Sequence, residues 1–239
     1  MVRSGGGTRN ARPIILLFLS AAALVLCFGP RVQAAVTGAL SFTGSVRLTS
    51  TTEDFWPVGG PAGTGTFLVV DPVSGTFAGL AGTTGSILDL NRATSPVGVP
   101  LAINNFLTLA ALPAVSTQLT MLEPGVFGSG SIGLPPAAGQ TATPIGSHYN
   151  LTNLSSNSST LSFVVDVNMS DGVGGPLPYR GVFTAQFADL SFQSMLATLN
   201  AGGFVDAAYS AHFTIIPEPA CGVIVCCAGL GLARRSRPR

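Results

Sequence analysis

The sequence predicts an all-β fold, an antiparallel β-sandwich or jelly-roll-like domain with one short helix. Three observations predict it. Between residues 35 and 216, apolar and polar residues alternate in many short stretches. That period of two puts one face of a strand against a core and the other in water. The 30 Gly and 17 Pro of the chain supply frequent turn signals between those stretches. Near residue 195, by contrast, the apolar period becomes helical.

In chain order the alternation predicts strands over 39–49, 65–70, 86–90, 105–109, 117–122, 148–152, 160–168, 179–188 and 205–215. Asp71-Pro72-Val73-Ser74-Gly75 reads as a compact turn between two Thr-Phe strand starts, because Pro fixes φ and Gly accepts a positive φ. Asp171-Gly172 and Gly174-Gly175-Pro176 read as a longer loop. Residues 190–200 place Phe192, Met195, Leu196 and Leu199 on one helical face, and Gly202-Gly203 stops the helix. Many short strands with such turns favour a sandwich or jelly roll. A β-solenoid is the second reading, but Gly65-Thr66-Phe67 and Gly75-Thr76-Phe77 do not continue as a regular repeat.

The two ends have other compositions, giving three segments: 1–34, 35–216 and 217–239. Arg3, Arg9 and Arg12 precede an apolar run over 14–28, and Gly29-Pro30 breaks it. Val32 and Ala34 then stand three and one residues before a cut ahead of Ala35, the layout of a cleaved export signal. At the other end Pro217, Glu218 and Pro219 precede an apolar stretch over 220–233 and the cluster Arg234, Arg235, Arg237 and Arg239. At about 1.5 Å per residue that stretch reaches about 21 Å as a helix, short of a bilayer core of about 30 Å. Its arginines predict a cytoplasmic stop, with the domain outside.

This arrangement of Pro217-Glu218-Pro219, short apolar helix and terminal Arg cluster, behind an upstream export signal, resembles the PEP-CTERM sorting tail of bacterial exosortase substrates. A helix rich in Cys (Cys221, Cys226, Cys227), where that family more often has Leu and Gly, is a mild departure. The resemblance implies transient anchoring in the inner membrane through the C-terminal helix, cleavage near the motif by an exosortase-type membrane protease, and release to the cell surface or extracellular matrix. Exopolysaccharide is then a possible partner. Within the central domain, residues 75–82, 149–153 and 181–187 more loosely resemble other exosortase substrates, and no reaction comes with them.

Composition narrows the chemistry. The chain has no lysine, which removes Schiff-base chemistry and a Walker-type phosphate loop. Between 35 and 216 only Arg47, Arg92 and Arg180 oppose the acids, for a net charge of −6, which argues against nucleic acid as a partner. The same span has no Cys, so disulfides do not brace it. His148 and His212 lack a third ligand at metal-site spacing and read as solvent-facing strand residues; no metal and no cofactor are expected. Asp166-Val167-Asn168-Met169-Ser170-Asp171-Gly172 has oxygen donors at calcium-loop spacing, but its Gly is one residue late and Leu177 stands at the bidentate position. Asn150, Asn153 and Asn157 begin glycosylation-type triplets that read as a Ser/Asn-rich loop.

One acid pair deserves weighing, because glycoside hydrolysis needs two carboxylates. Glu53 and Asp54 stand beside Trp56, the only Trp of the chain, and are the weak candidates for a sugar site. Convergence in a groove would favour a carbohydrate-binding or carbohydrate-active protein; separation favours a structural domain. The expectation is an exported, non-catalytic surface or biofilm-matrix protein with no enzymatic site.

Overall fold

The computed structural model describes residues 36–57 and 63–217. The export-signal residues Val32, Ala34 and Ala35 lie outside them, as do Glu218, Pro219 and the terminal arginines; Pro217 is exposed at the last described position. No helix among the described residues is long and apolar enough to cross a membrane.

The all-β expectation holds. The strands are β1 (Leu40–Leu48), β2 (Thr52–Phe55), β3 (Thr64–Val69), β4 (Thr84–Leu88), β5 (Leu90–Asn91), β6 (Ile103–Asn104), β7 (Leu107–Leu109), β8 (Ser116–Leu122), β9 (Thr141–Ala142), β10 (Asn150–Asn153), β11 (Ser159–Ser170), β12 (Leu177–Phe187) and β13 (Val205–Ile215). Among the described residues one α-helix, α1, spans Phe192–Asn200. All strand pairings are antiparallel, in the order β6-β8-β11-β12-β13-β1-β3-β4-β7. The order starts and ends on one short piece of chain: β6 pairs β8, and β7, two residues further on, pairs β4. The sheet therefore curls until its edges meet there. Asn105, with φ of 57°, makes the bend between β6 and β7, and its N–H reaches the Thr117 carbonyl at 2.7 Å. The buried Thr117 hydroxyl replaces a ladder rung, accepting from Leu107 N–H and donating to Leu107 C=O, both at 2.7 Å. Curling removes the exposed edges that invite aggregation.

The inward face is aromatic. Phe42 of β1 stacks on Phe67 of β3, ring centres 4.1 Å apart. Phe163 of β11 stacks on Phe183 of β12 at 4.6 Å. Rings of this size need room, and glycines directly across the ladder provide it: Gly44 opposes Tyr209, Gly85 opposes Phe67 and Gly181 opposes Phe213. A Cβ on Gly181 would lie 2.4 Å from the Phe213 ring. Such glycines, covered by a cross-strand aromatic, let the sheet bend tightly without leaving a void.

Helix α1 starts where expected from its pattern. Ser191 is its N-cap, accepting from Ser194 N–H, and Phe192, Met195 and Leu199 are buried, with Leu196 partly so. The Gly203 N–H bonds to the Thr198 carbonyl as the chain turns out through Gly202 at φ 80°. Asn153, buried at the end of β10, accepts from Phe192 N–H at 3.0 Å and donates to Gln193 at 2.8 Å, fixing α1 to the sheet.

Two expectations are corrected here. Gly75–Phe77 is a 3₁₀ turn with buried Phe77, not a strand start, and Gly75 takes a positive φ of 60°. Asn153 ends β10, the strand expected over 148–152, rather than opening a loop. Asp166, Asn168 and Ser170 follow one another along the outward face of β11, and Asp166 is held by Arg180 at 2.9 Å.

Candidate functional site

Strand β2 decides the fate of the acid pair. It joins β1 through Val46↔Phe55, Arg47↔Asp54 and Leu48↔Glu53. Successive residues of a strand face opposite sides. Glu53 and Phe55 therefore enter the core, while Asp54 points outward and Trp56, just past the strand, sits on the outer surface. The structure does not bring Glu53 together with Asp54 and Trp56.

The buried acid has its own partners. Glu53 is 2% exposed and accepts a short hydrogen bond from the Tyr149 hydroxyl. His148, 1% exposed, places Nε2 3.3 Å from Glu53 Oε1, close enough for charge attraction but without hydrogen-bond geometry. Its ring packs 4.2 Å from Tyr149 and edge-on to Phe163 at 5.1 Å. Burial, reinforced by the Glu53 charge, pushes the Tyr149 hydroxyl well above its ordinary value, so the phenol keeps its proton and donates it. The solvent-facing expectation for His148 is thus corrected. It precedes β10 and is enclosed by contacts from β2 and β11 rather than by the alternation of its own strand. His212 does lie on the outward face of β13, with Nδ1 2.7 Å from the Ser41 hydroxyl. The Glu53–Tyr149–His148 cluster is closed to substrate; its chemistry is to satisfy a buried carboxylate.

The outward face carries a different arrangement around Trp56. The sheet forks there: β1 pairs β3 at Phe42 and Thr43, then β2 from Val46 onward. The Trp56 backbone bridges the fork, its N–H donating to the Ser45 carbonyl at 2.9 Å and its carbonyl accepting from Thr66 N–H at 2.7 Å. This places the indole, 38% exposed, at the rim of a groove of about 590 Å³. The groove is lined by Thr43, Ser45, Thr66, Leu68 and Ala208, with Gly44 and Tyr209 beneath. Tyr209 is 4% exposed, and its hydroxyl has no hydrogen-bond partner among the described residues. A buried hydroxyl left so costs about 1–3 kcal/mol. Burial pushes its ionisation far above the ordinary phenol value, so it stays a neutral donor.

Beside the groove, Arg47 grips Asp206 with two bonds of 2.8 and 2.9 Å. The guanidinium lies 3.8 Å from the Phe204 ring centre and 5.5 Å from that of Trp56. This hydrogen bonding holds the Asp206 carboxyl below the usual range and raises Arg47 further. Arg47, Phe204, Asp206, Ala208 and Tyr209 were invisible as neighbours of Trp56 because the β1–β13 register that unites them joins distant parts of the chain. No group of three or more His, Cys, Asp or Glu able to hold a metal occurs among the described residues.

The chain matches no protein-family model, no curated protein and no solved structure.

Proposed function

We propose that this chain is an exported, non-catalytic protein of the cell surface or extracellular matrix, sorted by its PEP-CTERM-like tail and presenting residues 35–216 as a β domain. The observation that carries the non-catalytic reading is the divergence of Glu53 and Asp54. One carboxylate is enclosed by Tyr149 and His148, the other faces outward, so they cannot flank one glycosidic bond. The sorting reading rests on Pro217-Glu218-Pro219, the short apolar stretch and the arginines after it. In the producing cell, mass spectrometry of the mature protein should find an N-terminus at or near Ala35 and no apolar tail. Deleting 220–239 should give a folded, secreted but missorted domain. Persistence of the complete tail on the surface protein would replace this reading with a plain C-terminal anchor.

The second reading, a secreted carbohydrate-binding protein, is favoured by one observation, the exposed indole of Trp56 at the rim of a groove that mixes Thr and Ser hydroxyls with apolar side chains.

A further inference from the structure

We infer that the groove at the fork of β1, β2 and β3 binds a neutral glycan chain, with the Trp56 indole as stacking platform. The inference deepens the surface-protein reading by naming a partner, and rests on it only for where the protein meets such a polymer.

The occupant follows from what the groove offers. Its rim is a flat apolar ring, and its walls set the hydroxyls of Thr43, Ser45 and Thr66 among the apolar side chains of Pro57, Leu68 and Ala208. A pyranose has the same division, an apolar C–H face and a rim of hydroxyls, so one ring stacks while its edge hydrogen-bonds. Tyr209, buried on the inner face, lies beneath the groove and closes it from below. Gly44 makes room for that ring: a Cβ there would lie 2.7 Å from the Tyr209 oxygen. The volume, about 590 Å³, falls within the roughly 300–1,000 Å³ of small-ligand sites.

Charge selects a neutral polymer. Arg47 is already engaged by both oxygens of Asp206, and Asp54 stands across the ladder from it. Local charge is therefore balanced or negative, which repels uronate polymers and nucleic acid. A peptide gains little, because β1 is paired with β13 and with β3 or β2 beside the groove, leaving no free ladder for an added strand.

Trp56 is the only Trp of the chain, so its emission reads this groove directly. The mature protein is titrated with neutral hexaoses of glucose, mannose and galactose, and with alginate oligomers. A saturable change in Trp56 emission with a neutral hexaose, absent with alginate, is the expected result. Affinity electrophoresis through the matching polymer should then show at least a tenfold loss for Trp56→Ala and for Ala208→Arg, which fills the groove from an exposed position. Circular dichroism should match the parent in both. No response to any neutral hexaose, a response to alginate alone, or retardation unchanged in Ala208→Arg would overturn the inference. Export and tail processing are scored separately by cell fractionation. A titrating groove on a protein that is not exported would sink the surface reading alone; a silent groove on an exported protein would sink only the glycan site.

Discussion

Glu53 and Asp54 are neighbours in sequence and belong to different environments. The first shares the dry interior with Tyr149 and His148; the second lies outside, across the ladder from Arg47. The same division runs along every long strand. Inward positions of β11, β12 and β13 hold Phe163, Phe183, Tyr209 and Phe213, whereas outward ones hold Ser162, Thr184, Ser210 and Thr214. The inner face supplies cohesion through ring packing and glycine-made space. The outer face, mostly hydroxyls with two arginine-centred clusters, is where a partner has something to touch. Adjacency in a β protein is thus poor grounds for a shared site; cross-strand register is better.

If the inner face carries the stability, truncating its central ring should have the largest effect. Phe183 packs against Phe42, Phe55, Phe163, Tyr209 and Phe213. Phe183→Ala should cost about 3–5 kcal/mol, read as a lowered urea midpoint. A loss below about 1 kcal/mol would mean the rings do not act as one core. Glu53→Ala comes next. It leaves the Tyr149 hydroxyl and His148 without their buried partner, for about 1–3 kcal/mol. Asp54→Ala, one residue away, should change the midpoint little, since exposed charges contribute little. Equal losses from the two would break the comparison between faces.

Much of the inner face was legible. The alternation in 160–168, 179–188 and 205–215 marks β11, β12 and β13 because their burial follows a strict period of two. The helix was legible from its i, i+3, i+4, i+7 face and its glycine stop. The short strands β2, β5, β6 and β9 were not, since two to four residues show no period; they exist because adjoining strands offer free ladder positions. For the same reason Glu53-Asp54 read as a pair rather than as two faces of a strand. The groove was legible only in Trp56; its walls come from β1, β3 and β13, and no local pattern announces that they meet.

The smallest expected effect concerns two outlying carboxyls displaced in opposite directions. The Arg47 guanidinium holds Asp206 below the ordinary range, whereas burial raises Asp89 even though it accepts the Phe55 N–H at 2.8 Å. A depressed carboxyl contributes stability above its unfolded value of about 3.9 and loses it as pH falls through the lower folded value. Asp206→Asn should therefore lower the urea midpoint at pH 7, and the gap from the parent should narrow as pH falls below about 3.9. For a raised carboxyl the sign reverses. The folded state binds the proton more tightly than the unfolded one, so ionisation of Asp89 subtracts stability at neutral pH, and that loss disappears as pH falls through the folded value towards about 3.9. Asp89→Asn, whose amide oxygen can still accept from Phe55, should match or exceed the parent at pH 7 and lose any advantage in acid. Both shifts should be small, because the Asp206 side chain is 41% exposed and Asp89 is only partly enclosed. An Asp206→Asn deficit of equal size at pH 7 and pH 3 would show that this residue holds the edge of the groove by shape rather than by charge.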